Sequence, residues 1–326
     1  MSRLRIALVT PAVAAANNGN WQTARRWAHF LSALYRVQCS PAWQAGDEAL
    51  MIALHARRSA PSIAAWRAAH PSRPLVVVLT GTDLYRDIAS DAAAQRSLEL
   101  ADRLVVLNEC GLAALPAPLR AKARICMQSA PPRRPQAKTG RHLRALMVGH
   151  LREEKSPRTY FDAARRLAQR RDIRLDHIGG ALDAVLADEA RALMQEQPRY
   201  RWLGGLPHGA TRSRIQRAHV LVHPSRLEGG ANVVIEAVTS GTPVLGSRID
   251  GNVGLLGAAY AGYFEPGDAA GLATLLQRVR DDPSMLAALA EQCALRAPLF
   301  DPARERRTLH TLLAELLPRR PSGDPR

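Results

Sequence analysis

The sequence predicts an α/β protein made of two doubly wound domains, and three observations carry that prediction. Short apolar, β-branched runs alternate with segments of helical period along the whole chain, the mark of parallel sheets covered on both faces. A proline-rich interruption, SAPPRRPQAKTG at 129–140, cuts the alternation in two. The length of 326 residues, with 47% hydrophobic content, is enough for two buried cores and excludes global disorder.

In the first half, LRIALVT (4–10) reads as a strand and WQTARRWAHFLSAL (21–34) as an amphipathic helix. ALMIALH (49–55), PLVVVLTG (74–81), RLVVLN (103–108) and ARICMQ (123–128) read as further strands, with helices at 62–70 and 91–101. After the linker come strands at 143–149, 173–180, 200–206, 219–225 and 242–247. Helices at 159–170, 186–196, 212–218 and 231–241 alternate with them, the last ending at a glycine. Residues 268–281, 283–296 and 302–317 read as helices. The expected division is a first Rossmann-like domain at 1–135, a second at 141–300, a helix at 301–317 and a disordered tail at 318–326. Open parallel sheets bind ligands beyond the carboxyl ends of their strands, so a site is expected in the cleft between the two domains.

Composition narrows the function. No apolar run approaches the ~18 residues of a membrane span. The start, MSRLRIALVTP, runs straight into a strand with no leader pattern, and the four cysteines form no C-x-x-C pair. Reduced thiols and a cytoplasmic location are expected. The net charge of +16 suits an anionic partner, but only three of the 45 basic residues are lysines, a bias that fits a GC-rich coding sequence. Residues 1–140 carry a net +10 and residues 141–326 a net +6, so the first half is the more cationic. With no basic run of five and only 5% aromatics, a nucleic-acid platform is disfavoured. Nothing in the sequence speaks to oligomeric state.

The absences prune further. The first strand-to-helix loop, TPAVAAANNGNW, lacks G-x-G-x-x-G, and no G-x-S-x-G occurs, which disfavours dinucleotide oxidoreductases and hydrolases. GHLREEKS (149–156) has Glu154 where a P-loop needs glycine before Lys155. His219 and His223 lie four apart on a strand, with too few convergent ligands for a metal.

The richest segment is HPSRLEGGANVVIEAVTSGTPVLGS at 223–247. Gly229 and Gly230 let a ligand approach the backbone where a helix begins, at about Ala231 and Asn232. The N–H groups and dipole there favour an anion by about 0.3–1 kcal/mol. Glu228 stands before the helix and Glu236 eight residues on, flanked by Ile235 and Ala237; carboxylates accept hydrogen bonds from sugar hydroxyls.

G-x-L-x-x-x-K, then P-S-x-x-E-G, a second glutamate eight residues later, and G-T-P-V together resemble the retaining glycosyltransferases of the GT-B fold, glycosyltransferase family 4, over most of 141–300. The resemblance implies a UDP-sugar substrate and neither metal nor cofactor. It implies that Lys155 meets the donor diphosphate, Glu228 the transferred sugar and Glu236 the ribose. It further implies that the backbone from Gly229 through Gly230 and Ala231 to Asn232 cradles phosphates, and that the loop at Leu206 faces the uracil. Where many relatives have an arginine five positions before the lysine, this chain has His150, leaving Arg152 to share that work. The final helix is implied to cross back to the first domain. LHARRSAPSI, LTGTDLYRD, SLELADRLVVL, RYRWLG, SRLEGGANVV and GYFEPGD resemble the selenosugar synthases of selenoneine biosynthesis, which join selenophosphate to a UDP-sugar, typically UDP-N-acetylglucosamine. Two departures from ordinary family 4 enzymes accompany this narrower likeness: Thr80 where a histidine often precedes G-T-D, and Gly254 where a glutamate is usual.

The first half has its own logic for a small, highly charged acceptor. His55, Arg57 and Arg58 follow a strand at its carboxyl end, Arg25 rides the first helix just after Gly19 and Asn20, and Thr80 and Asp83 bracket the next strand end. Guanidinium groups bind phosphate oxygens two at a time.

Overall fold

The computed structural model describes residues 3–11 and 19–317; the sequence-expected tail at 318–326 and most of the first strand-to-helix loop lie outside the described residues. The chain divides into two units, Met1–Gln128 with Pro302–Arg326, and Ser129–Asp301.

The first unit is a parallel sheet in the order β2-β1-β3-β4-β5-β6. Its strands are β1 (Arg5–Val9), β2 (Arg36–Ser40), β3 (Leu50–Leu54), β4 (Leu75–Leu79), β5 (Arg103–Val106) and β6 (Ala123–Ile125). Its helices are α1 (Gly19–Leu31), α2 (Ala60–Ala69), the short α3 (Ile88–Ser90) and α4 (Ala92–Leu100), with a wide helical turn over Asp83–Asp87 before α3. LMIAL and LVVVL, in β3 and β4, are wholly buried because both sheet faces are covered. Successive side chains point to opposite faces, so Met51, Ala53, Val77 and Leu79 pack with Ile63 and Trp66 of α2. Ile52, Leu54, Val76 and Val78 pack instead with Trp27 of α1 and with Leu309, Leu312 and Leu313. Fully burying one such side chain contributes on the order of 1.5–3 kcal/mol.

The second unit is a parallel sheet in the order β12-β11-β10-β7-β8-β9. Its strands are β7 (Leu143–Val148), β8 (Ile173–Ile178), β9 (Tyr200–Trp202), β10 (Val220–His223), β11 (Val244–Ser247) and β12 (Tyr263–Phe264). The helices are α5 (Pro157–Arg166), α6 (Ala184–Glu196), α7 (His208–Arg217), α8 (Asn232–Val238), α9 (Asp250–Leu256), α10 (Ala269–Asp281) and α11 (Pro283–Arg296). Aspartates cap several of them: Asp183 accepts from Leu186 N–H and Asp268 from Gly271 N–H. The last helix, α12 (Pro302–Leu316), belongs to the first unit, where its buried Glu305 accepts hydrogen bonds from Trp27 Nε1 at 2.7 Å and Arg26 Nε at 2.9 Å.

Three elements go beyond the sequence reading. β2 is an edge strand, RVQCS, with one face in solvent and no apolar alternation to announce it. β12 is two residues long. DGNVGLL, where the sequence reading places no helix, forms α9 although glycine weakens helices. Conversely, the helix expected over 231–241 covers only Asn232–Val238; the chain turns away through Gly241 at φ +68°. The proline-rich segment is laid along the second unit: Arg133 N–H donates to Thr239 O, Arg212 to Pro131 O and Gln216 to Arg134 O.

Candidate active site

In the second unit the chain adds β8 and β9 on one side of β7 and then crosses to add β10, β11 and β12 on the other. The switch point, where open α/β sheets bind ligands, is therefore at the carboxyl ends of β7 and β10. Lys155 arrives there from the loop after β7 and Glu228 from the loop after β10, and Lys155 Nζ pairs with Glu228 Oε1. Burial alone would raise the Glu228 carboxyl; Lys155, together with a hydrogen bond from His223, instead holds it well below the usual carboxylate range. His223 Nε2 lies 3.3 Å from the same oxygen.

Close backbone approaches make this geometry. A Cβ on Gly179 would stand 1.8 Å from Gly149 O, so the ends of β7 and β8 meet only because residue 179 is glycine. A Cβ on Gly251 would stand 2.0 Å from Glu228 O; glycine lets the first turn of α9 support the Glu228 backbone. Ser156, next to Lys155, is left-handed at φ +48°, a strained conformation for a residue with a Cβ, and α5 starts at Pro157 behind it.

Around this pair, His150 Nδ1 accepts from Gly180 N–H at 3.0 Å, and burial, then Arg152 and Lys155, lowers its pKa. Arg152 is half-buried, and its Nε has no hydrogen-bond partner among the described residues. Gly229 and Ala231 are buried, Gly230 and Asn232 partly so, and Ala231 caps α8. Glu236 of α8 is 7% exposed, and its Oε1 is already held by His208 Nε2 at 2.6 Å. Leu206 lies in the loop after β9, half-buried. The second unit thus brings Lys155 and Glu228 into contact. His223, His208 and Asn252 are the residues the motif reading missed: two histidines at element ends and an asparagine inside a stretch read as loop.

The first unit's switch point lies between β1 and β3. His55 follows β3 in a left-handed conformation, φ +73°, and is 2% exposed. Its Nδ1 accepts from Arg58 N–H at 3.3 Å, so Nε2 carries the proton and donates to Thr82 Oγ1 at 3.1 Å. Burial lowers its pKa despite Asp83 nearby. Asp83 is fully buried: Oδ2 accepts from Ala56 N–H at 2.9 Å, and Oδ1 from Thr80 N–H at 2.8 Å and Gly81 N–H at 2.9 Å. His55 and Asp83, expected at the acceptor, are buried and hydrogen-bonded within the unit, where they shape the loops that carry Arg57, Arg58 and Thr80. Arg57 Nε is engaged by Asp87 at 2.9 Å. Arg58 and Arg25 are exposed and have no carboxylate partner among the described residues, while Gly19 and Asn20 open α1. Thr80 is half-buried.

Among the described residues no three His, Cys, Asp or Glu side chains gather as metal ligands, no helix is long and apolar enough to cross a membrane, and all four cysteines are free.

Comparison with solved structures finds the same fold across nearly the whole chain. Sucrose-phosphate synthase from Thermosynechococcus elongatus superposes with a TM-score of 0.76 at 18% identity, covering 96% of this chain and 99% of that one. HepE of Anabaena, solved with UDP and glucose, gives 0.76 at 15% identity over 96% and 100% of the two chains. The lipopolysaccharide outer core galactosyltransferase WaaB, in apo form, gives 0.70 at 14% over 96% and 100%. The fold is GT-B. A search of curated proteins finds no match. The family model "Glycosyl transferases group 1" matches residues 132–296, just over half of the chain, including the loops that carry Lys155 and Glu228 and the helix that carries Glu236, and the chain belongs to that family of glycosyltransferases.

Proposed function

We propose that the protein transfers N-acetylglucosamine from its UDP derivative to selenophosphate in the cytoplasm, forming a carbon–selenium bond. The observation that carries the donor half is the Lys155–Glu228 pair at the β7/β10 switch point. HepE, of the same fold, is solved with UDP and glucose, which supports UDP as the carrier. In this reading Lys155 and Arg152 meet the diphosphate beside His150, and the amides of Gly229, Gly230, Ala231 and Asn232 take its remaining oxygens. Glu236 exchanges His208 for the ribose hydroxyls, the Leu206 loop faces the uracil, and Glu228 orients the sugar. The C1–O bond breaks with its electron pair leaving on UDP, and Lys155 stabilises that developing charge. A selenium lone pair forms the new bond to C1, so the immediate product keeps its phosphoryl group on selenium.

The state of the first unit supports an anionic nucleophile. An alcohol must lose a proton as it attacks. The two basic candidates, His55 and Asp83, are buried and occupied, while Arg58 and Arg25 face solvent. Selenophosphate needs no base and suits arginines. The test is mass spectrometry of products from UDP-N-acetylglucosamine incubated with selenophosphate, thiophosphate, phosphate, and simple hydroxyl and thiol acceptors. A selenosugar product is expected. Products from hydroxyl or thiol acceptors alone would make this an ordinary family 4 glycosyltransferase.

A further inference from the structure

His223 ends β10 and is 1% exposed. Its ring is held among three partners: Nδ1 lies 3.0 Å from Asn252 Oδ1, and Nε2 lies 3.3 Å from both Ser225 Oγ and Glu228 Oε1. The orientation of the Asn252 amide is fixed by what its other end does. Asn252 Nδ2 donates to Ser247 O at 2.9 Å and faces Ser247 Oγ at 3.2 Å, so an oxygen, an acceptor only, faces the histidine. Nδ1 must therefore carry a proton. A neutral ring would then turn its Nε2 lone pair toward a carboxylate oxygen, acceptor against acceptor. A second proton, on Nε2, turns that contact into a charge-assisted hydrogen bond.

We infer that Asn252 holds His223 as a doubly protonated imidazolium whose Nε2–H fixes Glu228, making His223 a positioning residue with a second positive charge beneath the Lys155–Glu228 pair. The surroundings fit. The ring pairs with Glu228, on its own loop, and through Glu228 with Lys155 from the loop after β7. The hydrogen bonds that reach the ring and its clamp from α9 and β11 come from neutral groups, Asn252 and Ser247. Ser225 is the one rival partner, since its hydroxyl can donate to an unprotonated Nε2 or accept from a protonated one. The consequence is chemical: two donors, Lys155 Nζ and His223 Nε2, converge on Oε1 and leave Oε2 to the ligand.

This inference deepens the reading of Glu228 as a sugar-binding group and rests on it for the consequence, but its test does not need turnover. Nitrogen-15 spectra of histidine-labelled full-length protein at pH 7.5 are recorded without substrate, with His223 assigned by its loss in His223→Gln. Both ring nitrogens are expected at protonated shifts, with Glu228→Gln converting the ring to the neutral form protonated at Nδ1. A neutral ring in the unaltered protein, or an imidazolium that persists in Glu228→Gln, overturns the inference whatever the enzyme's substrates prove to be. Kinetics then separate positioning from packing. His223→Gln keeps an N–H donor, whereas His223→Phe keeps only bulk; the Phe variant should raise the UDP-sugar KM by roughly tenfold to a hundredfold over the Gln variant, the range for one charge-assisted hydrogen bond. Equal KM values for the two variants would also overturn it.

Discussion

The two units are built on the same plan and use their switch points differently. Each has a six-stranded parallel sheet and, beside the switch point, a left-handed residue that is not glycine, His55 in the first and Ser156 in the second. In the first unit the ionisable groups there turn inward: Asp83 binds three backbone amides and His55 closes a ring of local hydrogen bonds. In the second, Lys155 and Glu228 meet at a partly exposed position, with side-chain exposures of 16% and 10%. Burial thus turns one cluster into scaffold and leaves the other partly open to solvent.

The largest expected effect tests the scaffold. Asp83→Ala strands three backbone N–H groups, each costing about 1–3 kcal/mol, so the unit should lose more than about 3 kcal/mol and several degrees of Tm. A variant of unchanged Tm would show that Asp83 is not scaffold.

The second effect separates the units by acid. Four histidines of lowered pKa, His142, His150, His177 and His219, lie in the second unit, against His55 in the first. Buried His177 is pushed from 6.5 down to about 4, with Tyr200 OH and Gly149 O at its two nitrogens. The unfolded chain takes this proton first, so its contribution is intact above pH 6.5 and falls away down to pH 4, by about 3 kcal/mol. Glu228, held below the carboxylate range, gives way only at still lower pH and cannot produce that limb. Hydrogen exchange at pH 7.5 and 4.5 should show β7–β10 opening first, with the difference reduced in His177→Gln; equal loosening of both units would break the comparison.

Lys155→Ala comes next. Losing one charge-assisted contact to departing UDP should lower kcat about ten- to a hundredfold with little change in Tm. Near-normal turnover would remove Lys155 from its role. The two glutamates should then split by ligand: Glu236→Ala weakens UDP itself by about tenfold, whereas Glu228→Ala weakens the UDP-sugar and spares UDP. Calorimetric titration with both ligands decides, and equal losses would mean the pair is misassigned.

The smallest effect concerns the acceptor. Because Asp87 already engages Arg57, the exposed Arg58 is the stronger candidate for an anion: Arg58→Ala should raise acceptor KM about fivefold and Arg57→Ala less. Acceptor saturation curves with and without added phosphate would reverse the ranking if Arg57 dominates.

The sequence by itself determined the two parallel sheets, because a strand covered on both faces must be apolar throughout, and LMIAL and LVVVL can be little else. It also determined the loop bearing Lys155 and the loop and helix bearing Glu228 and Glu236, because their spacing is local. Elements without local surplus stayed hidden: β2, an edge strand with mixed exposure, and α9, a glycine-containing helix whose buried Asn252 bonds to Ser247 and His223. The tertiary structure alone set which polar residues are sealed inside a unit and which pair at a partly open strand end. His55 and Lys155 look alike in the chain, each a basic residue just past a strand. One is sealed beneath Thr82 and the Arg58 amide, and the other meets Glu228 from the loop after the neighbouring strand, 73 residues away. Hydrogen-bond partners so distant in sequence are set by strand order, and strand order is fixed by packing of the whole sheet rather than by any segment of it.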